Sequence, residues 1–230
     1  MGIEIGMLLF PGITQLDLTG PHEVLARVPD TRVRLVAKTL DPARSETGIT
    51  LLPDATFDEV TQLDVLFVPG GAGQIAAAED GDTLAFLRRV GATATWVTSA
   101  CTGSLLLGAA GLLRGYRAAT HWAFMDLLPL VGATPTDLRV VTDRNRITGG
   151  GVTAGLDIAL TIAAALAGRS HAERIQLSLE YDPHPPFQSG HPNVARRELV
   201  AEVRAEMTER YAVRREQLER LTAESFRGSD

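Results

Sequence analysis

Cys101 is the only cysteine among the 230 residues, and its surroundings are typical of a nucleophile. It follows a short strand-like run at 95–99 and precedes an apolar stretch that should be helical from about Thr102. A strand, a sharp turn and a helix in this order resemble a nucleophile elbow. Free N–H groups at the helix start favour an anion, so this placement predicts a lowered thiol pKa. A lone cysteine is often only a small buried hydrophobe, but the elbow pattern favours a reactive thiol.

Three further residues are candidates to lie close to the thiol. Two of them follow the ends of predicted strands, and the third directly follows Cys101. Asp17 lies in an apolar loop after the first strand, where burial would raise its pKa and suit acid–base catalysis; a turn or capping role fits equally well. Gly71 ends another strand, and its N–H would be free for substrate, although paired glycines also make plain turns. Thr102 offers an N–H and a hydroxyl beside the thiol, or caps the helix.

The second half of the chain adds His121, Trp122 and Gly150. His121 could assist the thiolate or act as a structural hydrogen-bonding group. Gly150 is the middle of three glycines before an apolar helix. The run predicts backbone conformations closed to other residues, or close packing against the elbow helix, near the site. No histidine and carboxylate set has metal-ligand spacing, so the sequence predicts no metal site.

Strands and helices alternate along the chain, which predicts a doubly wound, mostly parallel α/β sheet with the site at the carboxyl ends of its strands. A first strand at 3–10 is followed by a helix that opens at Gly20-Pro21. Further strands are predicted at 32–38, 65–68, 95–99, 117–120, 138–142 and 147–148, and residues 48–57 are predicted to form a short strand or a hairpin. Further helices are predicted at 82–94, 122–131, 153–167, 170–179 and 194–226. Residues 1–190 are predicted to form the α/β domain, and residues 191–230 a helical tail of the same structural unit.

Composition narrows the class of protein. Hydrophobic residues make up 45% and charged residues 22%, an ordinary globular balance. The net charge of −6 argues against nucleic acid as a partner, which would require a basic face. A single cysteine excludes an intramolecular disulfide, and no apolar run is long enough to span a membrane. The start of the chain is typical of a strand rather than a signal peptide, so we expect a cytoplasmic protein.

Together these motifs resemble the DJ-1/PfpI (ThiJ) superfamily of flavodoxin-like α/β proteins, over roughly residues 4–179. The resemblance is carried by Asp17, Val-Pro-Gly-Gly at 68–71, Ala-Cys-Thr-Gly at 100–103 and Thr-His-Trp at 120–122. The strings at 15–22 and 101–105 are similar to those of bacterial enzymes that hydrate isocyanides. Peptidases of the superfamily carry histidine where this chain has Thr102, and DJ-1-type proteins usually carry glutamate in place of Asp17. Protease activity is therefore not expected.

This resemblance implies a cofactor-independent lyase that hydrates an organic isocyanide to an N-substituted formamide. Cys101 would attack the isocyanide carbon as a thiolate and form a thioimidate. Asp17 would donate the proton and then activate a water molecule. Thr102 and Gly71 would position substrate or water. His121 and Trp122 are further substrate-binding candidates, and Gly150 is a structural residue near the site.

The resemblance also implies a homodimer. An apolar stripe on the tail favours pairing as well, unless the tail packs on its own subunit. The stripe comprises Leu199, Val203, Met207, Leu218 and Leu221. Two other functions stay open: a glyoxalase or deglycase using the same thiol on an aldehyde, and a redox sensor that oxidises Cys101 without turnover.

Overall fold

The computed structural model describes residues 2–227, built around a seven-stranded sheet. The strands are β1 (Ile3–Leu8), β2 (Thr31–Ala37), β3 (Ala43–Arg44), β4 (Thr50–Leu51), β5 (Ala55–Thr56), β6 (Val65–Val68), β7 (Trp96–Ser99), β8 (Arg117–Ala118), β9 (Thr134–Pro135), β10 (Val140–Asp143) and β11 (Arg146–Gly149). The sheet has the order β10-β11-β7-β6-β1-β2-β5. All its pairings are parallel except the β10–β11 hairpin. The predicted doubly wound, mostly parallel sheet is confirmed.

Helices pack in two groups around this sheet. They are α1 (Gln15–Leu25), α2 (Gln74–Glu79), α3 (Gly81–Gly91), α4 (Gly103–Ala109), α5 (Ala154–Ala167), α6 (Arg169–Ser178), α7 (Arg197–Glu206) and α8 (Thr208–Arg227). One group joins α1, α5 and α6, and the other joins α2, α3, α4 and α8. All four residues of β6 are buried, as expected for a central parallel strand covered on both faces.

Helix α1 begins earlier than the sequence predicted. It starts at Gln15, so Asp17 lies in its first turn rather than in a loop, and Pro21 lies inside the helix. Proline lacks the N–H that would bond to the carbonyl of Asp17, yet the helix continues through it. Burial of Leu18, Val24 and Leu25 along one face favours the longer helix. The expected helix start at Gly20-Pro21 was therefore wrong.

Several other elements also differ from the prediction, including residues 48–57, which contain the two separate strands β4 and β5. The segment Trp122–Val131 is a 3₁₀ helix rather than an α-helix, and it contains Pro129. The short helix α2 was not predicted. Helix α6 starts at Arg169 with Gly168 as its N-cap, one residue earlier than the predicted start at residue 170.

The tail forms two helices, α7 and α8, and α8 packs back on its own chain. Leu218 is fully buried, and Met207, Tyr211 and Leu221 pack against the core. Helix α8 contacts the 3₁₀ helix, α2 and α4. The apolar stripe is thus largely used within the subunit, which removes it as an argument for a dimer. The boundary after residue 190 stays a prediction. Within residues 2–227, no helix is both long and apolar enough to cross a membrane.

Candidate active site

Cys101 occupies the sharp turn between β7 and α4 with a backbone φ of 53°, a conformation that non-glycine residues rarely adopt. Its N–H donates to the carbonyl of Gly150 at 2.8 Å, and its carbonyl accepts from Thr120 Oγ1 at 2.9 Å. A Cβ at Gly103 would lie 2.1 Å from the carbonyl oxygen of Val68, so only glycine lets α4 start this close to β6. The elbow is held by its surroundings, as a strained functional turn requires.

The turn Gly70-Gly71 joins two of the predicted site residues. Gly70 N–H donates to Asp17 Oδ2 at 2.9 Å, and Gly71 N–H donates to Thr102 Oγ1 at 3.1 Å. Gly71 has a φ of 131°, and an added Cβ would lie 2.4 Å from the nitrogen of Thr14. The turn therefore requires glycine at this position, and it fixes Asp17 and Thr102 relative to the elbow.

Asp17 is fully buried, and burial raises the pKa of its carboxyl group from 3.8 to about 7. The Gly70 N–H and the Cys101 thiol partly oppose this shift of the pKa, whereas the Glu46 carboxylate adds to it. Oδ1 is buried and accepts no hydrogen bond within the described chain. A carboxyl group that titrates near neutral pH can both take up and return a proton during a reaction cycle.

The Cys101 thiol is only 5% exposed, and burial raises its pKa well above the ordinary value. The Asp17 carboxylate raises this pKa further, while the Thr102 N–H and the Arg214 guanidinium lower it. The expectation of a lowered thiol pKa was wrong, because loss of hydration and a neighbouring anion outweigh the donors at the helix start. The thiol rests in its protonated form next to a carboxyl group that can accept the proton.

Cys101 and Thr102 lie in the wall of a cavity of about 150 Å³. Other lining residues are Thr14, Glu46, Gly71, Ala72, His121, Phe124, Val152, Met207, Arg210 and Arg214. Three larger cavities, of about 370, 440 and 460 Å³, do not include Cys101. We assign the chemistry to the small cavity, because Cys101 lines it and the buried Asp17 carboxyl group, although not itself in the wall, interacts with the Cys101 thiol.

The structure corrects several of the weaker site predictions. The Gly71 N–H is bound to Thr102 and is not free for substrate. Trp122 and Gly150 line the 460 Å³ cavity, which shares only His121 and Val152 with that of Cys101. Gly150 does not have a positive φ, and a Cβ there would meet two carbonyl oxygens at 3.9 Å, an ordinary contact. Its expected backbone constraint was wrong, although its carbonyl does hold the elbow.

His121 lies in the wall between these two cavities as a neutral group. Its Nδ1 accepts the N–H of Ala123 at 3.3 Å, which leaves the ring proton on Nε2. Burial, together with the Arg214 guanidinium, lowers the pKa of His121 to about 4. At neutral pH it carries no positive charge with which to stabilise a thiolate.

Three charged residues at the cavity, Glu46, Arg210 and Arg214, were missed in the sequence. Glu46, from the β3–β4 hairpin, bonds to the Thr14 hydroxyl and to the Ala72 N–H. Arg214, from α8, donates to the carbonyl of Gly71 at 2.9 Å. Arg214 could have been noticed, since it continues the stripe of Met207 and Leu218 at helical spacing as a charge among apolar residues. Across residues 2–227 no cluster of three metal-ligating side chains is present.

Comparison with known proteins identifies similar chains over the full length. The model of the DJ-1/PfpI family matches residues 4–165. An isonitrile hydratase from Pseudomonas putida is 53% identical over 223 residues, covering 97% of this chain and 98% of that protein. A solved THiJ/PfpI family protein from Pseudomonas syringae has a TM-score of 0.88 at 47% identity, covering 96% of this chain and 91% of its own. Drosophila melanogaster DJ-1beta, with a TM-score of 0.70 at 23% identity, covers 78% of this chain and 98% of its own and shares the fold.

The raised pKa of Asp17 predicts a pH-dependent effect of Asp17→Asn on stability. The folded protein holds this proton up to about pH 7 and the unfolded chain only to 3.8, so the parent loses stability as pH rises between these values. The asparagine variant has no carboxyl proton to lose at this position, so its stability does not fall in this way. Its free energy of unfolding, relative to the parent, should therefore rise by on the order of 3 kcal/mol from pH 5 to pH 8. Urea denaturation of both proteins measures this difference, and a difference independent of pH would contradict the assignment.

Proposed function

The chain belongs to the DJ-1/PfpI family, and from that premise we propose that it hydrates organic isocyanides to N-substituted formamides. The proposal is carried by the buried Cys101–Asp17 pair in a chain whose full-length relative is an isonitrile hydratase, isonitrile being another name for isocyanide. The small cavity suits the isocyano group, which consists of two linear heavy atoms. The opening of the cavity would receive the organic substituent on the isocyanide nitrogen.

In the first step the Cys101 thiol adds across the isocyanide carbon. The Asp17 carboxylate takes the thiol proton as sulfur bonds to the carbon, and the same proton is then delivered to that carbon. The product is a thioimidate, in which the carbon carries sulfur, hydrogen and a double bond to nitrogen. Atoms and charges balance, and Asp17 returns to its carboxylate form.

In the second step Asp17 takes a proton from water, and the hydroxide bonds to the thioimidate carbon. The nitrogen receives the proton, which gives a tetrahedral adduct. Loss of the carbon–sulfur bond and transfer of the hydroxyl proton back to sulfur release the formamide and restore the thiol. A carboxyl group with a pKa of about 7 suits both directions of transfer.

Thr102 supports both steps through its backbone and its side chain. Its N–H lowers the pKa of the Cys101 thiol and so stabilises negative charge developing on sulfur. Its hydroxyl accepts the Gly71 N–H, so its effect on substrate is indirect. Neutral His121 is assigned to the cavity wall and not to proton transfer.

We further propose that the reaction uses no cofactor and takes place in the cytoplasm. Water is the only co-substrate in the scheme, and no electrons are exchanged. The single cysteine must stay reduced to act as a nucleophile, which supports a reducing compartment. The redox-sensor alternative is disfavoured, because sensor cysteines are accessible thiols of low pKa.

Substitutions at the site should separate the roles of the two residues. Cys101→Ala should leave no measurable formamide production from benzyl isocyanide. Asp17→Asn should lower kcat/KM by ~10²–10⁴, the usual contribution of proton transfer. Thr102→Val should lower it by the equivalent of ~0.5–1.5 kcal/mol, one hydrogen bond. Chromatographic detection of the formamide measures each rate.

Ser99→Ala is the matched control for Cys101→Ala. Ser99 is fully buried at the end of β7, and its hydroxyl has no hydrogen-bond partner within the described chain. Its loss should leave kcat/KM near the parent value. Parental hydration by Asp17→Asn, with methylglyoxal consumed only by the parent protein, would instead assign the protein to the glyoxalase class.

We also propose a homodimer, formed through the face that joins α1 and the β3–β4 hairpin. The hairpin is linked to the loop that precedes α1 by Gly12 N–H to Arg44 O at 2.7 Å and by Glu46 N–H to Ile13 O at 3.0 Å. Helix α1 exposes the apolar side chain of Leu16, and the region of the hairpin exposes those of Ile49 and Leu52. Their burial by a second copy would remove apolar surface from water.

Ile49→Glu should shift the protein from dimer to monomer in light scattering at micromolar concentration, because it places a charge at the proposed interface. Leu177→Glu is the matched control, because Leu177 is 82% exposed on α6, which is not one of the two elements of the proposed interface. This variant should stay dimeric. A monomeric parent protein would refute the dimer. A dimeric Ile49→Glu variant would refute this face as its interface.

A further inference from the structure

Arg214 is a buried cation in the wall of the Cys101 cavity, and no step of the proposed hydration mechanism uses it. Only 2% of it is exposed. Its Nε donates to Gln74 Oε1 at 2.9 Å and its Nη2 to Gly71 O at 2.9 Å, so both of its short hydrogen bonds end on neutral acceptors. A buried guanidinium without a carboxylate partner is unfavourable for folding. Such a group is expected where its charge or its geometry serves the site.

The register of α8 delivers this side chain to the cavity. Arg214 shares helical spacing with Tyr211 and Leu218 of α8 and with Met207 just before it, and these three side chains pack against the core. The guanidinium lies 4.6 Å from the centre of the Phe124 ring, which favours a cation over its face. Arg214 lies outside residues 4–165, the part of the chain that the family model matches.

We propose that Arg214 is a positioning residue for isocyanide hydration, which holds the Gly70-Gly71 turn and stabilises negative charge on the Cys101 sulfur. Its role in turnover rests on the proposed function, whereas its effect on the thiol does not. The positioning effect of Arg214 is transmitted through Gly71. Arg214 binds the Gly71 carbonyl, and the N–H of the same glycine binds the Thr102 hydroxyl.

The electrostatic part follows from the groups around the sulfur. The carboxylates of Asp17 and Glu46 disfavour a thiolate, and His121 is neutral. Arg214 opposes the two carboxylates: it lowers the pKa of the thiol, and burial leaves its own pKa at about 10, so it is charged at neutral pH. Arg210 also lines the cavity, but its side chain is 59% exposed and its charge is screened by water. Arg214 is thus the buried cation that can stabilise sulfur as its proton moves to Asp17.

Three variants of the full chain test this role. Arg214→Met removes the charge and keeps an apolar stem over Phe124. Arg214→Lys keeps the charge, but its ammonium group cannot reproduce the two hydrogen bonds that the planar guanidinium donates to Gln74 Oε1 and Gly71 O. Arg215→Met is the matched control: it removes the same charge one residue away, from a side chain 57% exposed that pairs with Glu219. Each variant is compared with the parent in iodoacetamide alkylation of Cys101 across pH, in isocyanide hydration and in thermal unfolding.

Arg214→Met should raise the apparent pKa of alkylation by about one unit, which lowers the alkylation rate at pH 9 about tenfold. Its hydration kcat should fall by at least about tenfold. Arg214→Lys should keep the alkylation profile within about threefold of the parent and still lose about tenfold in kcat, because Gly71 is no longer held. Arg215→Met should match the parent in both assays.

An alkylation profile of folded Arg214→Met equal to that of the parent would overturn the electrostatic role, and parental kcat in Arg214→Lys would overturn the positioning role. If Arg214→Met does not fold, the lysine variant decides: a shifted alkylation profile or a parental kcat overturns the proposal. Failure of the proposed function is seen separately, as a parent protein that forms no formamide. The alkylation arm still tests Arg214 in that case.

Discussion

The site depends on the hydrogen bonds of one two-glycine turn. The N–H of Gly70 holds Asp17, while the N–H and carbonyl of Gly71 hold Thr102 and Arg214. Side chains from α1, the start of α4 and α8 are thereby fixed to the end of β6. A Cβ at Gly70 would lie 2.6 Å from the nitrogen of Thr102. The turn can approach the elbow this closely only because it lacks side chains.

Burial is the second constraint, and it acts on both reacting groups at once. It raises the pKa of Asp17 to about 7 and that of the Cys101 thiol well above its ordinary range. The pair therefore holds the thiol proton within the site, with Asp17 as its acceptor. Such a pair suits an isocyanide, whose carbon must gain both sulfur and hydrogen. A thiolate alone would supply only the sulfur.

The sequence predicts local features of this protein better than the contacts between distant segments. The elbow at Cys101 and the burial of Asp17 follow from patterns of neighbouring residues, and the parallel sheet follows from the alternation of such local strand and helix patterns along the chain. The sequence did not reveal that Pro21 lies within α1, since the burial that extends this helix comes from the packed core. It also did not indicate that α8 brings Arg214 back to a glycine 143 residues earlier. The thiol pKa was misjudged for the same reason, because burial and the Asp17 charge are properties of the assembled site.

The pH dependence of kcat/KM for isocyanide hydration tests most directly the claim that Asp17 accepts the proton of a neutral thiol. In this account kcat/KM rises with pH through a single inflection near the Asp17 pKa of about 7 and then stays level. The inflection is absent in Asp17→Asn. A rate that continues to rise with pH above 9 would contradict the account, since free thiolate would then be the nucleophile.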